Sequence, residues 1–547
     1  MNKMKNPHTT SPLGARASRP RFLPALLAAC LALPALAGDP IDSIDSIDSI
    51  DSTDSLVTRH SSLVTAVVER PMALDDCIAL ALEHNLDLRI QRLTRTAAAI
   101  DAEGASGAYD PSLALGAKRS RTETEGTAAG TSEGVLSTTR TETDENAFSA
   151  GIQGDTSFHG LSYDLSARAG DSSGTRANNP FDTTTASAGL TLTQPLLRGF
   201  KTPATHYRIA TAKTLSDEAA LALEQKIQST VAAVEAAFYA LIQARETIAV
   251  REKALALAEQ LAADTERKVS VGTAFALDAR QAASQAATAR AELSDAHRAA
   301  AVAHNDLKSL VFADQRTVRN LRIDARYTLD PARVPTDPAA SGDLALDLRP
   351  DIRAQRLALV RQGIEVDYRR NQTLPSLDLV LGAGVAASDE DTYPDAFSQL
   401  ASADEPYWTA GLTFTIPLGN RAASAAHRQA LANAERMRLE LRRLEENALV
   451  EVENATAALD TGWEKIAATR EARACAEDAL SAEQKKLDSG QSTPFVVLQL
   501  QRDLTTARQS EIAALTDYLR LASALSLAEG TLLQRHHLDL DTSPAEP

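Results

Sequence analysis

Aromatic residues make up only 4% of this 547-residue chain. One thick core needs bulky side chains, so the shortage, together with long Ala-rich tracts, predicts closely approached helices around thin seams. Beyond the amino-terminal leader no segment reaches about 18 consecutive apolar residues, which excludes a membrane-spanning helix. Basic residues are outnumbered, with a formal net charge of −17, a sign that disfavours a nucleic-acid partner. No zinc-protease or phosphate-loop pattern occurs, and no cofactor-binding or metal-ligating set converges. Gly130-Thr131-Ser132-Glu133-Gly134 matches the serine-hydrolase elbow. That motif needs a strand before it and a helix after it, but here it falls in a Thr/Gly-rich tract. His536-His537 has no third ligand at useful spacing and reads as polar tail. The chain therefore does not read as an enzyme.

Three cysteines are present. Arg16, Arg19 and Arg21 precede an apolar run over 22–36, and Ala35-Leu36-Ala37 is a small-x-small cleavage site, together a secretory signal over 1–37. Leu27-Ala28-Ala29-Cys30 offers a rival lipoprotein box that would put a lipid on Cys30. The run continues through Cys30 to the later site, which favours plain cleavage. Cleavage removes five basic residues and no acid, moving the charge from −17 to −22. An acidic surface or channel that tolerates cations fits that balance. On the long-helix reading below, Cys77 and Cys475 lie roughly 50 and 87 Å from the nearest strand–helix prolines. A bridge between them is not expected.

The organising stretch is 190–272. Leu190-Thr191-Leu192-Thr193-Gln194 alternates like a strand with one apolar face, and Pro195 ends it. Ile227, Val234, Leu241, Ile248 and Leu255 then recur every seven residues, with Val231 and Phe238 between them, a coiled-coil seam. The turn Val271-Gly272-Thr273 closes a helix that could reach roughly 115 Å. The chain repeats the design. Leu412-Thr413-Phe414-Thr415-Ile416-Pro417 leads into a second long helix that ends at Ser489-Gly490-Gln491. At an offset of 264, 11 of the 33 positions 81–113 find identical partners, among them Asp87/Asp351, Arg89/Arg353 and Pro111/Pro375. Such self-similarity marks an internal duplication.

Around these units 38–71, with Ile-Asp-Ser four times over, reads as a disordered acidic leader. The first repeat is 72–330 and the second 331–530, followed by a tail over 531–547. Helices are expected at 73–108 and 345–373, and again after each tip, at 278–312 and 495–530. Strand pieces are expected at 113–117, 148–152, 161–167 and 190–194, and at 377–381 and 412–416. Long polar loops should separate them at 118–146 and 170–185, with an acidic loop ending near 405. Pro111, Pro195, Pro375 and Pro417 mark the strand–helix junctions. The Pro-rich linker 313–342 should form a belt where two short helices stack end to end beside a long one. Strands this short cannot close a barrel from one chain, and a barrel shared between chains would satisfy every edge. That requirement points to an oligomer in which each chain gives four strands or six.

In order and duplication the chain resembles the outer-membrane efflux channels, the TolC-like family, over about 72–530. The carriers are the paired Pro-Ser-Leu strand starts, Thr-Gln-Pro-Leu-Leu-Arg-Gly at 193–199, Arg349-Pro350-Asp351 and the two tip glycines. The resemblance implies an α+β membrane protein: a trimeric outer-membrane β-barrel, of 12 strands at four per chain or 18 at six, continued by a periplasmic α-helical coiled-coil barrel. It implies an export duct of a tripartite efflux or type I secretion system in the outer membrane of a Gram-negative bacterium. Partners would be two further copies, outer-membrane lipid, a periplasmic adaptor and an inner-membrane pump. The tips Val271, Gly272, Thr273, Ser489, Gly490 and Gln491 would dock the adaptor. At the pore entrance Asp278 holds the acidic place of the family's closing latch, but the basic place is Ser492. The entrance aspartates of some relatives are replaced by Val496 and Gln499. The alternative from another class is a trimeric structural or adhesive coiled coil, whose β-segments would cluster at the carboxyl end rather than in two internal regions.

Overall fold

The computed structural model describes residues 68–538 except 130–135, 177–178, 273–274, 390–392, 404 and 490. The signal segment with Cys30, the leader up to 67, the Gly130–Gly134 tract, Thr273, Gly490 and the end of the tail lie outside the described residues. In chain order the elements are β1 (Val68–Met72), α1 (Leu74–His84), α2 (Leu86–Ser106), β2 (Ser112–Ala129), β3 (Leu136–Asp155), β4 (Ser162–Arg176) and β5 (Asn179–Pro195). There follow α3 (Ala204–Ser270), α4 (Ala276–Val311), β6 (Leu321–Ala325), α5 (Pro338–Leu348), α6 (Pro350–Gln372) and β7 (Ser376–Asp389). The last are α7 (Tyr393–Ser402), β8 (Glu405–Thr415), α8 (Arg421–Asp488), α9 (Pro494–Glu529) and α10 (Leu532–Arg535).

Two helices dominate. α3 has 67 residues and α8 has 68, each about 100 Å long. Both start later than the prolines suggest. After Pro195 the chain makes a turn through Gly199 (φ +92°), and after Pro417 it passes through Gly419 and Asn420, both in the left-handed region. Both turns are pinned to the carboxyl end of α6. Gly199 N donates to Asn371 Oδ1 at 2.7 Å and Asn420 Nδ2 donates to Thr373 O at 2.8 Å.

The helices form a single layer. In the half next to the sheet the order is α2–α3–α6–α8, and toward the tips it is α4–α3–α9–α8. The heptad seam is buried where these halves meet: Ile227, Val231, Val234, Phe238 and Leu241 are all core. Ile248 and Leu255 are only half-buried. There the partner is α4, whose Ala286 and Ala289 pack with Leu255 and are small.

At the waist the Pro-rich linker is more than a belt of loop. β6 pairs in parallel with β1, so Val68–Met72 is a strand and not the end of a disordered leader. Met72, Cys77, Ile78, Ile323, Leu532 and Leu533 join the seam in one core. The expected helix 73–108 is broken at Asn85, whose side chain caps α2 by accepting from Leu88 N. The helix expected from 345 starts at Pro338 and breaks at Arg349-Pro350. The tail is also structured: His536 is buried against Glu235, with Nε2 2.7 Å from Oε1. Cys77 is buried and Cys475 exposed, both unbridged.

The sheet departs furthest from expectation. Six strands pair in the order β2-β3-β4-β5-β7-β8, every neighbour antiparallel. They run 11 to 20 residues, not five to seven. The polar stretches expected as loops continue the ladder, from Lys118↔Ala147 out to Ala129↔Leu136 and from Gly170↔Thr185 out to Arg176↔Asn179. Threonine's β-branch suits strands without an apolar face. Opposite charges also face across the hairpin, as Arg140 Nη2 does Glu123 Oε2 at 2.7 Å. Inside the supposed acidic loop sits α7, and β8 begins at Glu405, so it takes in Tyr407 and Trp408 ahead of the expected 412–416.

Candidate functional site

Register decides what each face of the sheet offers. Directly paired residues share a face, and alternate residues along a strand share it too. Leu113 pairs with Ile152, Ile152 with Leu165, Leu165 with Leu190, and Leu379 with Leu412. Traced this way, Leu115, Phe148, Leu381, Trp408 and Phe414 fall on the same face, and all are exposed. The opposite face carries small and polar residues: Gly116, Ser149, Gly151, Ser166, Gly189, Gly384 and Thr409. Tyr407 lies over Gly189 and Gly384 on that side, leaving no room for a Cβ at either. Along β7 the apolar face runs from Leu377 to Ala387. That is about 34 Å of strand, or about 26 Å of height at the roughly 40° tilt of membrane barrels. A hydrocarbon layer needs about 25 Å. No helix among the described residues is long and apolar enough to cross a membrane.

Both flanks of the layer are open. Every residue of β8 is exposed, and among the described residues neither β2 nor β8 has an outer neighbour. The flanking helices match them: α2 exposes Leu86, Ile90, Leu93 and Ile100, and α8 exposes Leu431, Leu439 and Val450. Six strands is an even number, so β8 of one copy could meet β2 of another without breaking the antiparallel alternation.

At the far end α3 passes into α4 through Val271, 77% exposed, and Gly272, at φ +82°. Phe275, 80% exposed, and Leu277 follow. The second tip is tied to its own hairpin. Ser489 Oγ and Gln491 N both donate to Lys486 O, at 3.0 and 2.8 Å, and Ser492 Oγ donates to Glu483 Oε1 at 2.5 Å. Asp278 caps its own helix, accepting from Phe275 N at 3.4 Å. Val496 is exposed, and Gln499 Nε2 donates to Asp503 Oδ1 at 3.2 Å on the next turn. The structure thus leaves Asp278 and Ser492 each with partners in its own hairpin. Contacts between the hairpins are made elsewhere, among them Arg502 of α9 donating through Nε to Gln285 Oε1 of α4 at 2.8 Å and Arg251 of α3 donating through Nη2 to Gln509 Oε1 of α9 at 3.1 Å. Sequence reading passed over Arg502, Gln285 and the exposed Phe275 and Phe495. An aromatic beside each tip in so aromatic-poor a chain is the signal that could have found the last two.

The four junction prolines stand where the two architectures meet. Pro111 precedes β2, Pro195 closes β5, Pro375 precedes β7 and Pro417 follows β8. Among the described residues no three His, Cys, Asp or Glu side chains group as metal ligands.

The profile of the family described as "Outer membrane efflux protein" matches residues 141–311 and 342–531. The chain is 26% identical over 349 residues to the outer membrane efflux protein BepC of Brucella suis biovar 1, covering 64% of this chain and 73% of that one. Its fold is similar to that of CusC, at TM-score 0.62 and 18% identity over 84% of this chain and 92% of that chain. It is also similar to the CmeC outer membrane channel of Campylobacter jejuni, at TM-score 0.60 and 16% identity over 86% and 90% of the two chains. The fold is that of the TolC-like channels.

Proposed function

Because the chain belongs to the outer membrane efflux protein family, we propose that three copies form a passive export duct through the outer membrane and periplasm of a Gram-negative bacterium. The observation that carries this reading is the two-faced sheet, which among the described residues has every exposed large aliphatic side chain and Trp408 on one side. Six strands per chain give 18 in the closed barrel, with the apolar face to lipid and the glycine- and serine-rich face to the lumen. The open flanks β2/α2 and β8/α8 support a head-to-tail contact that closes into a ring. Four helices abreast in each half continue the barrel as a tube of twelve, about 100 Å long.

Nothing in such a tube supplies energy, so a pump must. The tip residues Val271, Gly272, Thr273, Ser489, Gly490 and Gln491 are the surface offered to a periplasmic adaptor and the inner-membrane pump behind it. Asp278, Val496 and Gln499 lie within a turn or two of that surface and line the entrance. Detergent-extracted protein should run as a heat-labile trimer and conduct ions in a planar bilayer. A monodisperse monomer with full β signal, or a trimer without conductance, removes the reading.

A further inference from the structure

The β7–β8 connection carries α7, a ten-residue helix, and its place on the sheet is informative. It packs on β5 and β7. Ala169, Ala186 and Ala387 pair in one row of the apolar face and are only 8, 2 and 3% exposed. Leu165 and Leu190, in another row of that face, are 51 and 41% exposed. The cover over the alanine row is α7, whose Ala396 is fully buried. Small residues on both sides let helix and sheet approach closely.

One row farther out the face turns polar, with Asn146, Asp171 and Thr184 in register. Tyr393 of α7 donates its hydroxyl to Asp171, and Asn146 Nδ2 donates to the other oxygen of that carboxylate at 2.9 Å. α7 therefore straddles the line where the apolar band ends. At 100° per residue its side chains divide into three sectors. Tyr393, Ala396 and Leu400 face the sheet. Pro394, Phe397 and Ala401 form an exposed apolar flank, and Asp395, Ser398 and Ser402 an exposed polar one. In bulk water the apolar flank would gain nothing, and within hydrocarbon the polar flank would be costly. The boundary between them suits both.

We propose that α7 is an interfacial helix, seated on the lipid surface at the outer rim of the barrel with Phe397 in the acyl boundary and Ser398 in water. The inference rests on the sheet being a membrane barrel, and its test separates the two claims. Single-tryptophan proteins are made in a W408F/W463F background carrying F397W or S398W, with a W463F protein that keeps Trp408 as reference. Each is reconstituted in phosphatidylcholine vesicles brominated at shallow or deep acyl carbons. The F397W protein should lose emission to shallow bromines more than to deep ones, whereas the S398W protein should be quenched by aqueous acrylamide instead. Trp408, on the apolar face of β8, should be quenched by bromines in either case. If Trp408 is not quenched, the membrane sheet itself fails. If Trp408 is quenched but the F397W and S398W proteins respond alike, α7 stands in water or under a neighbouring copy and the proposal is overturned.

Discussion

Replacing His536 with alanine strips the buried Glu235 carboxylate of one of its two side-chain partners. Glu235 sits on α3 with no exposed side-chain surface, bonded by Ser523 of α9 and by His536 just beyond α10. Asp75 of α1 stands 3.4 Å from the other imidazole nitrogen, and Arg535 and the buried Tyr239 phenol are the remaining charged or titratable neighbours. The hydrogen bond to Glu235, opposed by burial, holds His536 above its ordinary 6.5. Burial pushes Glu235 up, but the bonds from His536 and Ser523 outweigh it and leave the carboxyl below 4.5. A raised histidine stabilises fully below 6.5 and loses that contribution as pH rises through its folded pKa. A depressed glutamate stabilises above 4.5 and loses it as pH falls through its folded pKa. The pair therefore holds the tail best between about pH 4.5 and 6.5 and loosens in alkali. Removing one member of a buried pair costs about 3–5 kcal/mol, or roughly 10²–10⁴-fold in a local opening equilibrium. Hydrogen exchange of the tail reads this directly, because Arg535 N and Leu538 N are bonded within it, at 3.0 and 2.9 Å. H536A should exchange there roughly a hundredfold faster than wild type at pH 6, and wild-type protection should fall between pH 6 and 9 after correction for intrinsic rates. Equal exchange in H536A and wild type at pH 6, or flat wild-type protection across that range, refutes the reasoning.

Three further outcomes are expected. Gly272→Val forces a β-branched residue into φ +82° at about 1–2 kcal/mol; export should fall while outer-membrane insertion persists, and normal adaptor cross-linking would count against the tip assignment. Leu115→Arg, midway up the apolar face, should cost about 2–4 kcal/mol of insertion and deplete heat-labile trimer. Ser149→Arg on the opposite face should leave the trimer intact and lower single-channel conductance; equal behaviour would mean the faces are misassigned. Val496→Asp with Gln499→Asp should create tight, voltage-dependent block by trivalent cations in bilayer recordings by focusing charge at the entrance, and tight block already present in wild type would assign the ring to other acids, Asp278 first.

The long helices were legible because heptads constrain residue type where they are buried, as at Val234 and Phe238. Their starts were not, because Pro195 and Pro417 end strands without starting helices. The strands were legible only within the apolar band. Past Ala117 the hydrogen-bond ladder continues with Arg and Glu on one face and mostly Thr and Ser on the other, and such a strand has the composition of a loop. α7 was hidden among acids, and only the buried row of alanines beneath it betrays its packing. The role of His536 depends on a residue 301 positions away, which no local pattern could supply. At the tips, sequence located the chain reversals but not which side chains link the hairpins.

The waist makes clear why the duplicated halves need not be identical. Where two short helices stack, one leaves unpaired carbonyls at its carboxyl end and the next leaves unpaired N–H groups at its start. In the first half Asn85 serves both, accepting from Leu88 N at 3.2 Å and donating through Nδ2 to Leu310 O, in the last turn of α4, at 3.0 Å. At the offset of 264 that aligns the halves, the same position is Arg349. Its Nη1 reaches Ala528 O, in the last turn of α9, at 3.3 Å, and Glu451 Oε2 at 2.7 Å, while Nε and Nη2 grip Asp351 at 3.1 and 2.9 Å. A cation also suits the negative end of the α9 dipole. One half thus solves the stacked junction with a neutral amide and the other with a guanidinium held by two acids. Asp87, the match of Asp351, is released for a different task and pairs with Lys226 of α3 at 2.7 Å. The requirement that persists through the duplication is a donor at the break between stacked helices, and residue identity there is free to change as long as that donor remains.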